Sequence, residues 1–114
     1  MNAAYKLNYQ TRSALLFLDI LTKKPSKLNA SVYRNVCTKL NQEIEGKDWK
    51  TLAGLMGYSN EFVKNLIVKC KNEPAEALIS NWETKSGHDV KELIGLLEKI
   101  DREDIIELLQ QVNP

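Results

Sequence analysis

This 114-residue chain predicts an all-α bundle, and three observations carry that expectation. Apolar residues recur three and four apart in segment after segment, the spacing that lines up one face of a helix. No stretch alternates polar and apolar residues as a half-buried strand would. The segments are separated by short connections rich in Pro, Gly, Asn, Asp and Ser, which start and stop helices. A chain of this length forms one domain and buries roughly 65% of its unfolded surface.

Taken in order, Thr11 can cap a first helix over Arg12 to Thr22, with Ala14, Leu15, Leu18 and Leu21 at helical spacing and Phe17 widening the stripe. Such a stripe is too apolar to leave in water, so the helix is expected to complete the core. Lys23-Lys24-Pro25-Ser26-Lys27 breaks it. Asn29 or Ser31 caps the second helix, expected to run to about Glu45 with Val32, Val36, Leu40 and Ile44 on one face and Tyr33 and Cys37 beside them. Asp48 can accept hydrogen bonds from the free amides ahead of Trp49, Leu52, Ala53 and Met56, and Gly57 can end that third helix with φ > 0. Ser59 caps the next, Asn60 to about Cys70, with Phe62, Val63, Leu66 and Ile67 inward.

Pro74 sits where a first helical turn tolerates a missing amide. Ala75, Leu78, Ile79 and Trp82 then face inward until about Lys85, with Gly87 as the breaker. Asp89 and Glu92 have capping-box spacing ahead of Val90, Leu93, Leu96, Leu97 and Ile100. Asp101 is expected to cap a last helix, Arg102 to about Val112. Its inner residues would be Ile105, Leu108, Leu109 and Val112, with Glu103, Asp104 and Glu107 outward, where carboxylates suit the positive end of the helix dipole.

The net charge of +1 hides an asymmetry. Residues 1–57 hold nine Lys/Arg against four Asp/Glu, whereas residues 58–114 hold seven against eleven. Separate basic and acidic surfaces would steer one copy, or a relative, onto another. Cys37 and Cys70 have neither metal-ligand spacing nor the density of a secreted disulfide scaffold, which fits a reduced, cytoplasmic setting. No run approaches the roughly 20 apolar residues that span a bilayer.

Catalysis needs a poised nucleophile, an acid–base pair or a metal site. The one histidine, His88, falls in an expected loop, and both cysteines lie on apolar stripes where a thiol is inert. Glu103, Asp104 and Glu107 are explained by a solvated helix start, and no Gly-rich phosphate loop occurs. The expectation is therefore no enzyme, no cofactor, no metal, no small-molecule substrate and no membrane contact.

Nucleic acid has a sharper claim on the middle of the chain. Ala53, Gly57 and Val63 match the small residue, turn glycine and buried anchor of a helix-turn-helix spanning residues 49–71. Asn60, Lys64 and Asn65 would then meet bases or phosphates, and Lys69 and Lys71 would neutralise phosphates. A pI of about 7.7, the lack of a basic arm and Glu61 at the groove-facing start weigh against it.

Together, Asp48-Trp49-x-x-Leu52-Ala53, Pro74 with Leu78-Ile79-x-x-Trp82, and Val90-x-x-Leu93-x-x-x-Leu97-x-x-Ile100-Asp101-Arg102-x-Asp104 resemble the death-domain superfamily. Leu28-Asn29-x-x-Val32-x-Arg34 with Leu40-Asn41 looks most like its branch of myeloid differentiation primary response adaptors, although Gly54-Leu55 replace the acidic residues that branch uses in assembly. The resemblance implies a six-helix antiparallel Greek-key bundle over residues 28–112; the Arg12–Thr22 helix has no counterpart in it and is read as an N-terminal extension over 1–27. It also implies homotypic assembly with other death domains, on a kinase or an adaptor, into a helical signalling oligomer of innate-immune or apoptotic type. By the same resemblance, partner contacts fall at Lys64 and Lys69 on the third family helix, at Glu83, Lys85 and His88 at the end of the fourth, and at Asp101, Arg102 and Asp104 between the fifth and sixth. Arg34 and Lys39 lie on the preceding basic face.

Overall fold

The first five α-helices of the bundle each begin where a side chain or a proline deals with free amides of the first turn. The computed structural model describes residues 18–110. Six α-helices follow a 3₁₀ turn at Pro25–Lys27: α1 Ala30–Asn41, α2 Trp49–Leu55, α3 Asn60–Lys69, α4 Pro74–Ser86, α5 Val90–Lys99 and α6 Glu103–Gln110. Asn29 accepts from the Ser31 amide at 2.9 Å, Asp48 from those of Lys50 and Thr51 at 3.1 and 3.3 Å, Ser59 from Phe62 at 3.2 Å and Asp89 from Glu92 at 3.0 Å. These caps are the ones the sequence predicts.

The start of α4 is closed from farther away. Glu73, which precedes α4, makes no capping bond with its side chain. Asn41, the last residue of α1, takes over: its Oδ1 accepts from the Ala75 amide at 2.8 Å and its Nδ2 donates to Glu76 at 2.9 Å. The helix ends there, short of the expected Glu45, with Gln42 extended and its amide on the Lys39 carbonyl. Ile44 accordingly leaves the apolar stripe and is exposed.

The helices pair out of sequence order, as a Greek key requires. α1 packs on α4 and α6, while α2 packs on α3, α4 and α5. Trp49, Leu52, Leu40, Leu78, Ile79, Leu93, Leu97, Ile105 and Leu109 form one contiguous core, and Trp82 closes its edge. Burying an aliphatic or aromatic side chain of this size stabilises the fold by about 1.5–3 kcal/mol before its ordering costs are subtracted. Ile94 and Ile106 are buried while Leu96 and Leu108 are half-buried, so the inward faces of α5 and α6 sit slightly rotated from the expected ones.

α3 differs from the others because none of its residues is fully buried. Phe62, Val63 and Leu66 lean on the core, but Ile67, expected inward, is exposed, as is Val68. Before α1, residues 18–21 are helical, Ile20 is buried, Leu21 and Leu28 pack on the core, and Leu18 is exposed rather than inward. The remainder of the helix expected from Arg12, together with Val112, lies outside the described residues.

Asp101 corrects the sequence reading. It does not cap α6; it terminates α5 with φ 58°. Its amide donates to Glu98 O at 3.1 Å and that of Arg102 to Leu97 O at 3.0 Å, the paired bonds of a Schellman stop. The same two bonds close α2, where Gly57, at φ 90°, donates to Gly54 O and Tyr58 to Ala53 O.

Candidate functional site

The residues expected to meet a partner separate into three corners. On α3, Lys64 and Lys69 are exposed beside Ile67 and Val68, and Lys71 follows in the turn. None of these lysines makes an ion pair among the described residues. Helical spacing sets Lys64, Ile67 and Val68 on one outer face, so this corner presents cationic and apolar groups together.

The second corner joins α1 to the α5–α6 turn. Arg102 is buried at 5% exposure, and its Nη1 donates to the Lys47 carbonyl at 2.6 Å while Nε and Nη2 grip Asp104 at 3.0 and 3.1 Å. A planar guanidinium suits this fork. Lys39 approaches Asp104 at 3.7 Å and Lys47 approaches Asp101 at 3.5 Å. The hydrogen bond from Arg102 holds the Asp104 carboxyl below its usual pKa. That contribution to stability is present above the unfolded carboxyl pKa and fades as pH falls through the lower folded value. Expected as an outward contact, Arg102 instead points inward, because the Lys47 carbonyl 55 positions away needs a donor. Arg34 is exposed on the outer side of α1.

The third corner is at the end of α4. Lys85 lies over the Tyr58 ring at 4.6 Å, Tyr58 stacks on Phe62 at 4.2 Å, and the Tyr58 hydroxyl donates to Asn81 at 2.6 Å. His88 stacks on Trp82 at 4.3 Å, with Nδ1 2.6 Å from Glu92. Glu92 thus serves His88, where a full capping box would have turned it back on the Asp89 amide. Glu83 is a second correction: at 4% exposure it faces inward, and both of its oxygens accept from Ser26. Burial pushes the Cys37 thiol up to about 12, which leaves it protonated and unreactive. The Tyr33 phenol beside it is raised by burial as well.

The site reached by sequence reasoning is therefore partly a set of internal braces. The contacts that it missed, Ser26 with Glu83, Lys47 with Arg102 and Asn41 with α4, all join residues 34 or more positions apart. Only the polar character of Ser26 and Asn41 was visible in advance. Ala53 and Val63 pack within the bundle while Gly57 makes a stop, so helix packing accounts for the trio read as a DNA-binding motif.

Out-of-order helix pairing around Trp49 and Trp82, with capped helices and charged corners, defines an all-α interaction bundle. The chain belongs to the death domain family, whose pattern matches residues 34–112. Among its relatives it is 29% identical over 92 residues to the death domain-containing membrane protein NRADD of Rattus norvegicus, covering 72% of this chain and 40% of that protein. It is 30% identical over 76 residues to tumor necrosis factor receptor superfamily member 16 of Homo sapiens, covering 67% of this chain and 17% of the receptor. The chain thus spans less than half the length of these curated relatives. No solved structure matches significantly. No helix among the described residues is long and apolar enough to cross a membrane.

Proposed function

We propose that this domain is a non-catalytic signalling module in the cytoplasm that assembles homotypically with other death domains into a helical oligomer. Family membership supports protein–protein interaction in signalling. The observation carrying the finer reading is the α3 corner, where Lys64, Lys69 and Lys71 have no ionic partner among the described residues and lie beside exposed Ile67 and Val68. Cationic groups on an apolar patch suit an acidic helix start on a partner, and a contact between unlike surfaces that does not close grows an open helix.

In this proposal, Lys64 and Lys69 lead the contact, with Lys85, His88, Arg34, Lys39, Asp101 and Asp104 on flanking surfaces. Glu83 and Arg102 hold those surfaces in place from inside. The proposal takes residues 28–112 as the functional domain and 1–27 as its extension. Its partners are a death-domain kinase or adaptor, in pathways of innate-immune or apoptotic type. The branch of myeloid differentiation adaptors is supported by the Leu28-Asn29-x-x-Val32-x-Arg34 pattern alone, while the relatives above carry receptor and membrane-protein names.

A pull-down from cytosol tests partner class without choosing it in advance. Capture of a death-domain protein, lost with Lys64→Glu, is the expected result. Salt-steep binding to duplex DNA with no protein capture would instead favour a nucleic-acid role.

A further inference from the structure

Ser26 joins the segment ahead of α1 to a buried carboxylate of α4. Ser26, exposed in the 3₁₀ turn, donates its amide to Glu83 Oε1 at 3.0 Å and its hydroxyl to Oε2. Glu83 itself is buried in α4. Around this clamp, Pro25 and Ile20 are buried and the Lys23 carbonyl accepts from the Val90 amide at 2.9 Å. Segment 20–28 is thus fastened to α4 and α5 by few groups, and such a segment opens more readily than the core.

Ser26 is also the only serine or threonine of this chain with lysines both two and three residues before it, at Lys24 and Lys23, and Lys27 follows. All three lysines are exposed. A basic peptide around a hydroxyl is complementary to a protein kinase with an acidic substrate cleft.

We infer that Ser26 is a phosphorylation site for a kinase selecting basic residues, and that the phosphate releases segment 20–28 from the bundle. In the transfer, Ser26 Oγ attacks the γ-phosphorus of ATP and the bond to the bridging oxygen breaks. ADP leaves with that electron pair, and the hydroxyl proton passes to the kinase's base. The product carries a charge of about −1.5 to −2 where a hydroxyl had donated to a carboxylate. Glu83 keeps the Ser26 amide as a donor but loses the hydroxyl, and its buried carboxylate then faces a like charge where Oγ had donated. Lys23, Lys24 and Lys27 attract the phosphate outward, which adds to the repulsion. Release would uncover Ile20, Leu21 and Leu28 and the part of the core they pack on. The inference stands independently of the assembly reading.

The Val90 amide reports the outcome directly. As a first-turn amide it has no intrahelical acceptor, so docking of Lys23 is what protects it. The full chain is incubated with ATP and a serine/threonine kinase selecting lysine at those two positions, the modified residue is mapped by mass spectrometry, and amide exchange is followed. Phosphate on Ser26 and loss of protection at Val90, with the core amides of α1 and α5 still protected, are expected. Glu83→Gln, which removes the negative charge and retains an acceptor, should preserve Val90 protection after phosphorylation. The inference is overturned if Ser26 is not phosphorylated in the folded chain. It is equally overturned if Val90 stays protected after modification, or if Glu83→Gln loses protection as fully as the natural chain.

Discussion

The turn after α2 and the turn after α5 share the same pair of backbone hydrogen bonds but recruit different residues to make them. The first places Gly57 in the left-handed region, and a Cβ built there would meet nothing within 4 Å, so the glycine is needed for its backbone alone. The second places Asp101 in the same region, where an L side chain is strained, and surrounds it with Lys47, Arg102 and Asp104. One turn is a local device that a sequence reader can see. The other depends on partners that the fold delivers from α1 and the loop after it. The α5–α6 corner is therefore a brace first, whatever it contacts outside.

The largest effect is expected ahead of the first turn: Trp49→Ala empties a fully packed site in α2 and should cost about 3–5 kcal/mol in urea unfolding, enough to threaten the fold. At the second turn, Arg102→Ala strands the Lys47 carbonyl while Asp104, half-exposed, can rehydrate. That asymmetry limits the expected loss to about 1–3 kcal/mol. Arg102→Lys should recover only part of it, since an ammonium cannot bridge both acceptors as the fork does.

Exchanging the turn residues sharpens the contrast. Gly57→Ala should destabilise by roughly 1–2 kcal/mol, the cost of a Cβ in the left-handed region. Asp101→Gly should move stability by less than about 1 kcal/mol, because relief of backbone strain offsets the loss of an exposed pair with Lys47. Equal losses at the two positions in thermal unfolding would show that Asp101 contributes through its side chain far more than the geometry implies.

Local chemistry was legible in the sequence to the extent that it is local. Asn29, Asp48, Ser59 and Asp89 cap the helices they precede, Pro74 opens α4, and Gly57 and Gly87 take up positive φ. Trp49, Leu52, Leu78, Ile79 and Trp82 occupy the core that helical spacing assigns them. Asp101 was misread because an aspartate ahead of Glu103 and Asp104 has the composition of a helix start, and only the backbone shows it finishing the previous helix. Ile44 was misread because apolar spacing continues past Asn41, whose side chain leaves to cap α4. In the sequence, Glu83 and Arg102 read as outward partner contacts because charged side chains usually face outward, and their internal partners lie 57 and 55 residues away in the chain. On α3 the error ran the other way: Ile67 fits an inward stripe, but a helix at the bundle's edge buries a narrower face than its spacing suggests.

The braced corner and the open corner also differ in what they leave for a partner. Around Arg102 the charges are largely matched within the chain, whereas Lys64 and Lys69 on α3 have no ionic partner among the described residues and flank exposed aliphatic groups. Light scattering against protein concentration at low salt, on the natural chain and on Lys64→Glu with Lys69→Glu, tests assembly through the α3 corner. Mass that grows with concentration in the natural chain and stays monomeric in the folded double variant is the predicted result. A strict monomer in both, or equal growth in both, would contradict assembly through the α3 corner.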